Sequence, residues 1–123
     1  HLVEEMKDNN GETLYDAEPR RMHRVVDAQT AQTLQSLLKG TATEGTADRY
    51  FAHRPGFPHS IDVGGKTGTL ANENPYLSFS WFVGFGDSEN GERKAAISSL
   101  VCNKPTWRIK GPYVASEGLN LYF

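Results

Sequence analysis

Cysteine is almost absent. Cys102 is the only one in 123 residues, so no internal disulfide can form and a cysteine-rich zinc site is excluded. Long apolar runs are missing too. The densest stretch, Phe79 to Gly86, is far shorter than the ~18 residues a membrane-spanning helix needs. Neither sign of charge dominates, with 13 Lys and Arg against 15 Asp and Glu and a net charge of −2. That balance gives no general pull toward nucleic acid or an anionic membrane. The opening His1-Leu2-Val3-Glu4-Glu5 lacks a signal-peptide pattern. There is no internal repeat or low-complexity tract. The apolar share of 37% and charged share of 23% suit one ordinary domain, or part of one.

The order of local signals predicts an α+β chain. Leu2 to Lys7 and Glu12 to Tyr15 flank Asp8-Asn9-Asn10-Gly11 and read as a hairpin, because Asn-Gly favours a φ > 0 turn. Residues 16–22, with Pro19, read as a linker. A helix over about 27–39 follows. Asp27 is its N-cap, Ala31, Leu34, Leu37 and Leu38 recur at helical spacing, and Gly40 is the expected stop. Thr41 to Pro58 reads as a loop of about 18 residues, a length that is often functional.

Three strands come next, over about 61–71, 77–86 and 93–102, and form an antiparallel meander. In the second, Leu77, Phe79, Trp81, Val83 and Phe85 alternate with Ser78, Ser80 and Gly84, with Phe82 as the exception. The aromatic row Phe79, Trp81 and Phe85 is expected in the core. The third strand is apolar on both faces and should be covered on both, with Cys102 buried. Pro112 then opens a last helix over about 112–122, with Val114, Ala115, Gly118, Leu121 and Tyr122 on one stripe. The third strand also wants a neighbour on its outer edge, and the polar N-terminal hairpin is a poor candidate. Either further polypeptide completes the sheet, or a second copy pairs with this edge.

One motif carries chemistry: Gly64-Gly65-Lys66-Thr67-Gly68-Thr69. A phosphate-binding P-loop would need glycine at position 60, where Ser60 stands, and a helix afterwards, where the chain is β-rich. The other reading is the Lys-Thr-Gly box of penicillin-recognising serine acyl-transferases, which sits on a strand followed by an antiparallel strand. There, a glycine lets a peptide approach the strand edge. A lysine places positive charge beside the nucleophile, and threonine hydroxyls meet a carboxylate. A backbone N–H on such an edge can stabilise an oxyanion.

The resemblance extends beyond the box. Gly45-Thr46-Ala47, Gly64 to Ala71, and Ser80-Trp81-Phe82-Val83-Gly84-Phe85 together resemble the C-terminal third of the penicillin-binding protein transpeptidase domain, in order and spacing. The hairpin with Gly11-Glu12 resembles the one after that family's second motif. The resemblance implies a transpeptidase/beta-lactamase-like fold whose five-stranded sheet takes its first two strands from earlier sequence. It makes Lys66 a catalytic residue and Thr67, Gly68 and Thr69 substrate-binding residues, with no metal or organic cofactor. It implies a D,D-transpeptidase that cross-links peptidoglycan stem peptides through a serine acyl-enzyme and binds beta-lactam antibiotics. Its site would lie outside the cytoplasmic membrane, anchored by a segment upstream. A serine beta-lactamase, a beta-lactam sensor domain and a non-catalytic peptide-binding module of the same fold stand as alternatives.

That family uses Ser-x-x-Lys, Ser-x-Asn and Lys-Thr-Gly in order, and only the third is convincingly present. Ser36-Leu37-Leu38-Lys39 spells the first, but it lies too close to the box, and Ser36 points away from the apolar stripe toward solvent. Ser88-Glu89-Asn90 spells the second after the box, and reads as turn chemistry. The nucleophile is therefore expected in missing upstream polypeptide of the same domain, without which this segment would not catalyse. His53 and His59 read as loop residues, and His23, His53 and His59 lack metal-ligand spacing. Lys104, Arg108 and Lys110 read as a solvated loop, and no nucleic-acid partner is expected.

Overall fold

The structure, a computed structural model, describes residues 3–17 and 24–123. The linker reading of 16–22 falls largely outside these residues, as do His23 and Leu2, the first residue of the expected hairpin. The elements run β1 (Glu5–Lys7), β2 (Thr13–Asp16), α1 (Ala28–Thr43), a 3-10 turn (Asp48–Tyr50), β3 (Ile61–Glu73), β4 (Tyr76–Ser88), β5 (Lys94–Asn103) and α2 (Gly111–Tyr122). β1 and β2 form the expected antiparallel hairpin. Gly11 takes φ +86° at its turn, and the Asp8 carboxylate accepts from the Asn10 and Glu12 amides, each at 2.8 Å.

β3, β4 and β5 make an antiparallel sheet in that order. Register pairs Gly68 with Trp81 and Trp81 with Leu100. The architecture is α+β, an antiparallel sheet packed by helices, as the order of local signals predicts. Among the described residues no further strand pairs with the outer edge of β5.

Asp27 caps α1, its carboxylate accepting from the Thr30 amide at 2.7 Å. Gly40 does not stop the helix, which runs on to Thr43. A mid-helix glycine costs only about 1 kcal/mol against alanine, and the extra turn buries Ala42 in the core. The chain leaves at Glu44 and Gly45, where a Cβ at 45 would stand 2.9 Å from Thr41 Cα. The expected long loop is therefore shorter at its start and holds a 3-10 turn. Its Ala47, Phe51 and Phe57 are buried.

The two sheet faces differ from expectation. The side carrying Ser78, Ser80, Phe82 and Gly84 is the covered one, and Phe82 is 0% exposed. Its ring packs against Phe51, with centroids 5.2 Å apart, and Phe51 meets Phe57 edge-on. α2 covers the rest of this face. Its first turn approaches β4 so closely that a Cβ at Gly111 would stand 2.6 Å from Trp81 Cα. Ser80 Oγ accepts from the Gly111 amide at 3.1 Å, and Ser99 Oγ donates to the Gly111 carbonyl at 2.7 Å. The serines are small because a helix backbone lies on them, and they satisfy groups that burial would otherwise leave unpaired.

The opposite face carries Leu70, Phe79, Trp81, Val83, Phe85 and Leu100. Leu100 is 62% exposed and Val83 55%, so the aromatic row is half-buried rather than core. Cys102 lies on this face too and is exposed, not buried. The period-two reading found the alternation, but it took the more apolar side as the inner one. α2 corrects likewise: Ala115, Ser116 and Leu119 are buried, whereas Leu121 is 90% exposed.

Candidate functional site

The Lys-Thr-Gly run lies in the middle of β3, an edge strand of the sheet. Alternation sends Lys66 and Gly68 to the open face and Thr67 and Thr69 to the side that α2 covers. Lys66 is exposed, and its ammonium donates to the Thr67 carbonyl at 2.8 Å. Among the described residues no serine is hydrogen-bonded to it.

Gly68 has a cause that the motif alone does not reveal. Trp81 stands opposite it in register, and the indole occupies the position a Cβ at 68 would take. Gly64 makes room in the same way for the Phe85 ring. These glycines keep β3 bare of side chains while aromatic rings of β4 lie over it.

Thr67 is held from outside the sheet. Its hydroxyl lies 2.8 Å from that of Thr46 in the loop after α1, and either can be the donor. Thr46, Arg49, Thr67, Thr69, Ser80 and Lys110 help to line a cleft of about 310 Å³, enclosed by that loop, β3 and the chain entering α2. Sequence reading noted Gly45-Thr46-Ala47 without a contact for it, and took Lys110 as solvated. Lys110 is half-buried, its ammonium 5.0 Å from the centre of the Trp107 ring. Arg49 lies 4.8 Å over the Tyr50 ring. No local sequence signal links these positions, because the cleft is made by three segments far apart in the chain. Lys104 and Arg108 are exposed, as expected.

The loop that carries Thr46 and Arg49 is tied to α2 through Arg54. Its guanidinium donates to Ser116 Oγ and pairs with the Glu117 carboxylate, while lying 5.1 Å over the Tyr113 ring. A hydrogen bond from Tyr113, aided by Arg54, holds Glu117 below the usual carboxylate range.

The remaining sequence candidates lie elsewhere. Ser36 is exposed on α1, and the neighbouring Lys39 is bonded to Asp62 at 2.6 Å. Ser88 Oγ bonds Asn90 at 2.7 Å within the β4–β5 turn, where Gly91 takes φ +70°. His53 lies 3.7 Å from Asp48. His59 borders a separate hollow of about 150 Å³ beneath α1. No group of three His, Cys, Asp or Glu stands ready for a metal among the described residues. No described helix is long and apolar enough to cross a membrane.

No curated protein and no solved structure matches the chain. Comparison with protein families, however, matches residues 1–113 to the penicillin binding protein transpeptidase domain. That span takes in the hairpin, α1, the Thr46 loop and the whole sheet, including the Lys66 to Thr69 edge. With the match running over nearly the whole chain, the protein belongs to the penicillin binding protein transpeptidase domain family.

Proposed function

We propose that the chain is the C-terminal segment of a peptidoglycan D,D-transpeptidase domain, and that its β3 edge forms one wall of the active site. The observation that carries this reading is the Lys66-Thr67-Gly68-Thr69 run on a strand edge that is unpaired among the described residues, with a hydroxyl-lined cleft beside it. An extended peptide can add to such an edge through main-chain hydrogen bonds.

In this reading a serine from upstream polypeptide attacks the D-Ala-D-Ala carbonyl of a stem peptide. The serine proton is passed on with help from Lys66. A β3 amide steadies the tetrahedral oxyanion, a contact of a kind worth about 3–4 kcal/mol. D-Ala leaves, and an amine of a second stem peptide takes the acyl group. Beta-lactams acylate the same serine. Thr67 and Thr69 meet the substrate carboxylate, and Gly68 keeps the edge open. The parent protein works at the extracytoplasmic face of the cell membrane.

Two uncovered surfaces support an upstream partner segment. One is the sheet face bearing Leu70, Val83 and Leu100. The other is the stripe of α1, where Leu37 is 68% exposed and Leu34 also faces outward. Patches of this kind mark contact surfaces.

Fluorescent penicillin labelling of the full-length protein tests the proposal. Stable covalent labelling is expected. Rapid turnover of the label would make the protein a beta-lactamase, and absence of labelling would make it a binding module.

A further inference from the structure

A closed ring of contacts runs round the cleft beside β3. Thr67 on β3 meets Thr46 of the loop after α1, hydroxyl to hydroxyl at 2.8 Å. The same loop reaches α2 through Arg54, whose guanidinium donates to Ser116 Oγ and to the Glu117 carboxylate. α2 returns to the sheet at Gly111, which Ser80 of β4 and Ser99 of β5 hold. β4 then pairs with β3, Phe82 standing opposite Thr67. Among the described residues, Arg54 makes every hydrogen bond between the loop and α2. Arg54 itself does not line the cleft.

The Arg54 link is built to hold a direction. Ser116 is buried, and its hydroxyl donates to the Tyr113 carbonyl at 2.8 Å. With its one proton used there, Ser116 Oγ turns lone pairs toward Arg54. The guanidinium fork takes acceptors on successive residues, Ser116 and Glu117, a geometry that a point charge such as lysine does not reproduce. The Arg54 side chain is only 18% exposed, so water screens its contacts less than those of a surface pair. Between Thr46 and Arg54 the loop is a run of turns. The Tyr50 amide donates to the Ala47 carbonyl at 2.9 Å, His53 to Asp48 at 2.9 Å and Arg54 to Phe51 at 3.3 Å. Phe51 and Phe57 sink this run into the core. Apolar burial is non-directional, so it fixes the depth of the loop but not its tilt. The tilt is left to the polar contacts at the two ends, Thr46 with Thr67 and Arg54 with α2.

We propose that Arg54 is a positioning residue for acyl transfer. By fixing the loop to α2 it holds Thr46 against Thr67, and so sets the part of β3 that carries Lys66. The Lys66 ammonium rests on the Thr67 carbonyl at 2.8 Å, so a displacement of residue 67 carries to the lysine. The inference rests on the transpeptidase reading for the reaction, but not for the mechanical link from Arg54 to β3.

The test uses the complete protein, with Thr46→Val, Arg54→Met and the two combined, and follows the rate of penicillin acylation. Each single change is expected to slow acylation about 10-fold, within the range that small misplacements cost. The double variant should be slowed about 10- to 20-fold, against the roughly 100-fold of independent effects, because both changes break one link. Rates that multiply overturn the inference, as does wild-type acylation by Arg54→Met. Glu117→Ala removes the more exposed partner of Arg54 and is the milder variant should Arg54→Met fail to fold. It should slow acylation in the wild-type background and add little to Thr46→Val, and equal slowing in both backgrounds overturns the inference. A second measurement does not need acylation. The NMR amide signals of Lys66 and Thr67 should shift in Arg54→Met, and far less when Thr46→Val is already present. Signals that ignore Arg54→Met, or that shift equally in both backgrounds, overturn the inference. A wild-type protein that no penicillin acylates refutes the transpeptidase reading instead, and the amide signals then decide the link alone.

Discussion

Gly68 and Trp81 face each other across the β3–β4 pair, and the Trp81 indole fills the space that any side chain at 68 would need. The motif glycine is therefore fixed by the strand behind it as well as by whatever binds in front. Gly68→Ala should displace the indole and destabilise the fold by about 1–3 kcal/mol, as overpacking does. Combining it with Trp81→Ala should cost less than the sum of the two single changes, because the collision is gone. Chemical denaturation of the four proteins checks the coupling, and strict additivity would count against the contact.

Lys66 is exposed on β3 and bonded only to its neighbour's carbonyl among the described residues. In the complete protein, Lys66→Ala should slow penicillin acylation by at least about 100-fold, as loss of a proton-transfer group does, with little change in melting temperature. Unaltered acylation would remove Lys66 from the site.

Ser78 Oγ is fully buried and has no hydrogen-bond partner among the described residues. Ser78→Ala removes an unpaired polar group without leaving a large gap. The expected result is a gain of up to about 1 kcal/mol in unfolding free energy, read from urea denaturation. A clear loss would mean that the hydroxyl is satisfied.

The Tyr113–Glu117–Arg54 cluster predicts pH dependence with a definite sign. Glu117 lies below its ordinary 4.5 because of the Tyr113 hydrogen bond and Arg54. Asp27 lies below its ordinary 3.8 because it caps α1 through the Thr30 amide. A lowered carboxylate pKa contributes stability that is present above the unfolded value and lost as pH falls through the folded one. Tyr113 is raised above 10.0, first by its hydrogen bond to Glu117, so its share is lost as pH rises through that raised value. Thermal melts across pH should therefore sag at both ends. Glu117→Gln should flatten the acid arm and the alkaline arm, and an identical profile would refute the coupling.

Much of this molecule is legible in the residue order because strands and turns write local signals. The alternation from Leu77 to Phe85, the Asn-Gly and Asn90-Gly91 turns, the Asp27 cap and Pro112 at the head of α2 each act within a few residues, and each stands where expected. What misleads is any inference about which side faces inward. Ser78 and Ser80 look like a solvent face, yet both are buried, and the first turn of α2 lies against Ser80. Leu100 and Cys102 look like core, yet lie open. Hydrophobicity alone cannot say what a face packs against, since that depends on segments distant in sequence. The site follows the same rule. Lys66 to Thr69 is a contiguous word and can be read, whereas the Thr46–Thr67 contact and the meeting of Arg49 with Lys110 exist only after folding.

The open sheet face joins two unlike things, for the aliphatic Leu70, Val83 and Leu100 share it with the ammonium of Lys66. Whatever closes over the oily part must also come to terms with a cation at its border. A purely greasy lid would strand that charge in a poorly polarisable seam. The mating surface is thus obliged to bring oxygen acceptors of its own opposite residue 66, and a partner lacking them would fit by shape yet be rejected by charge.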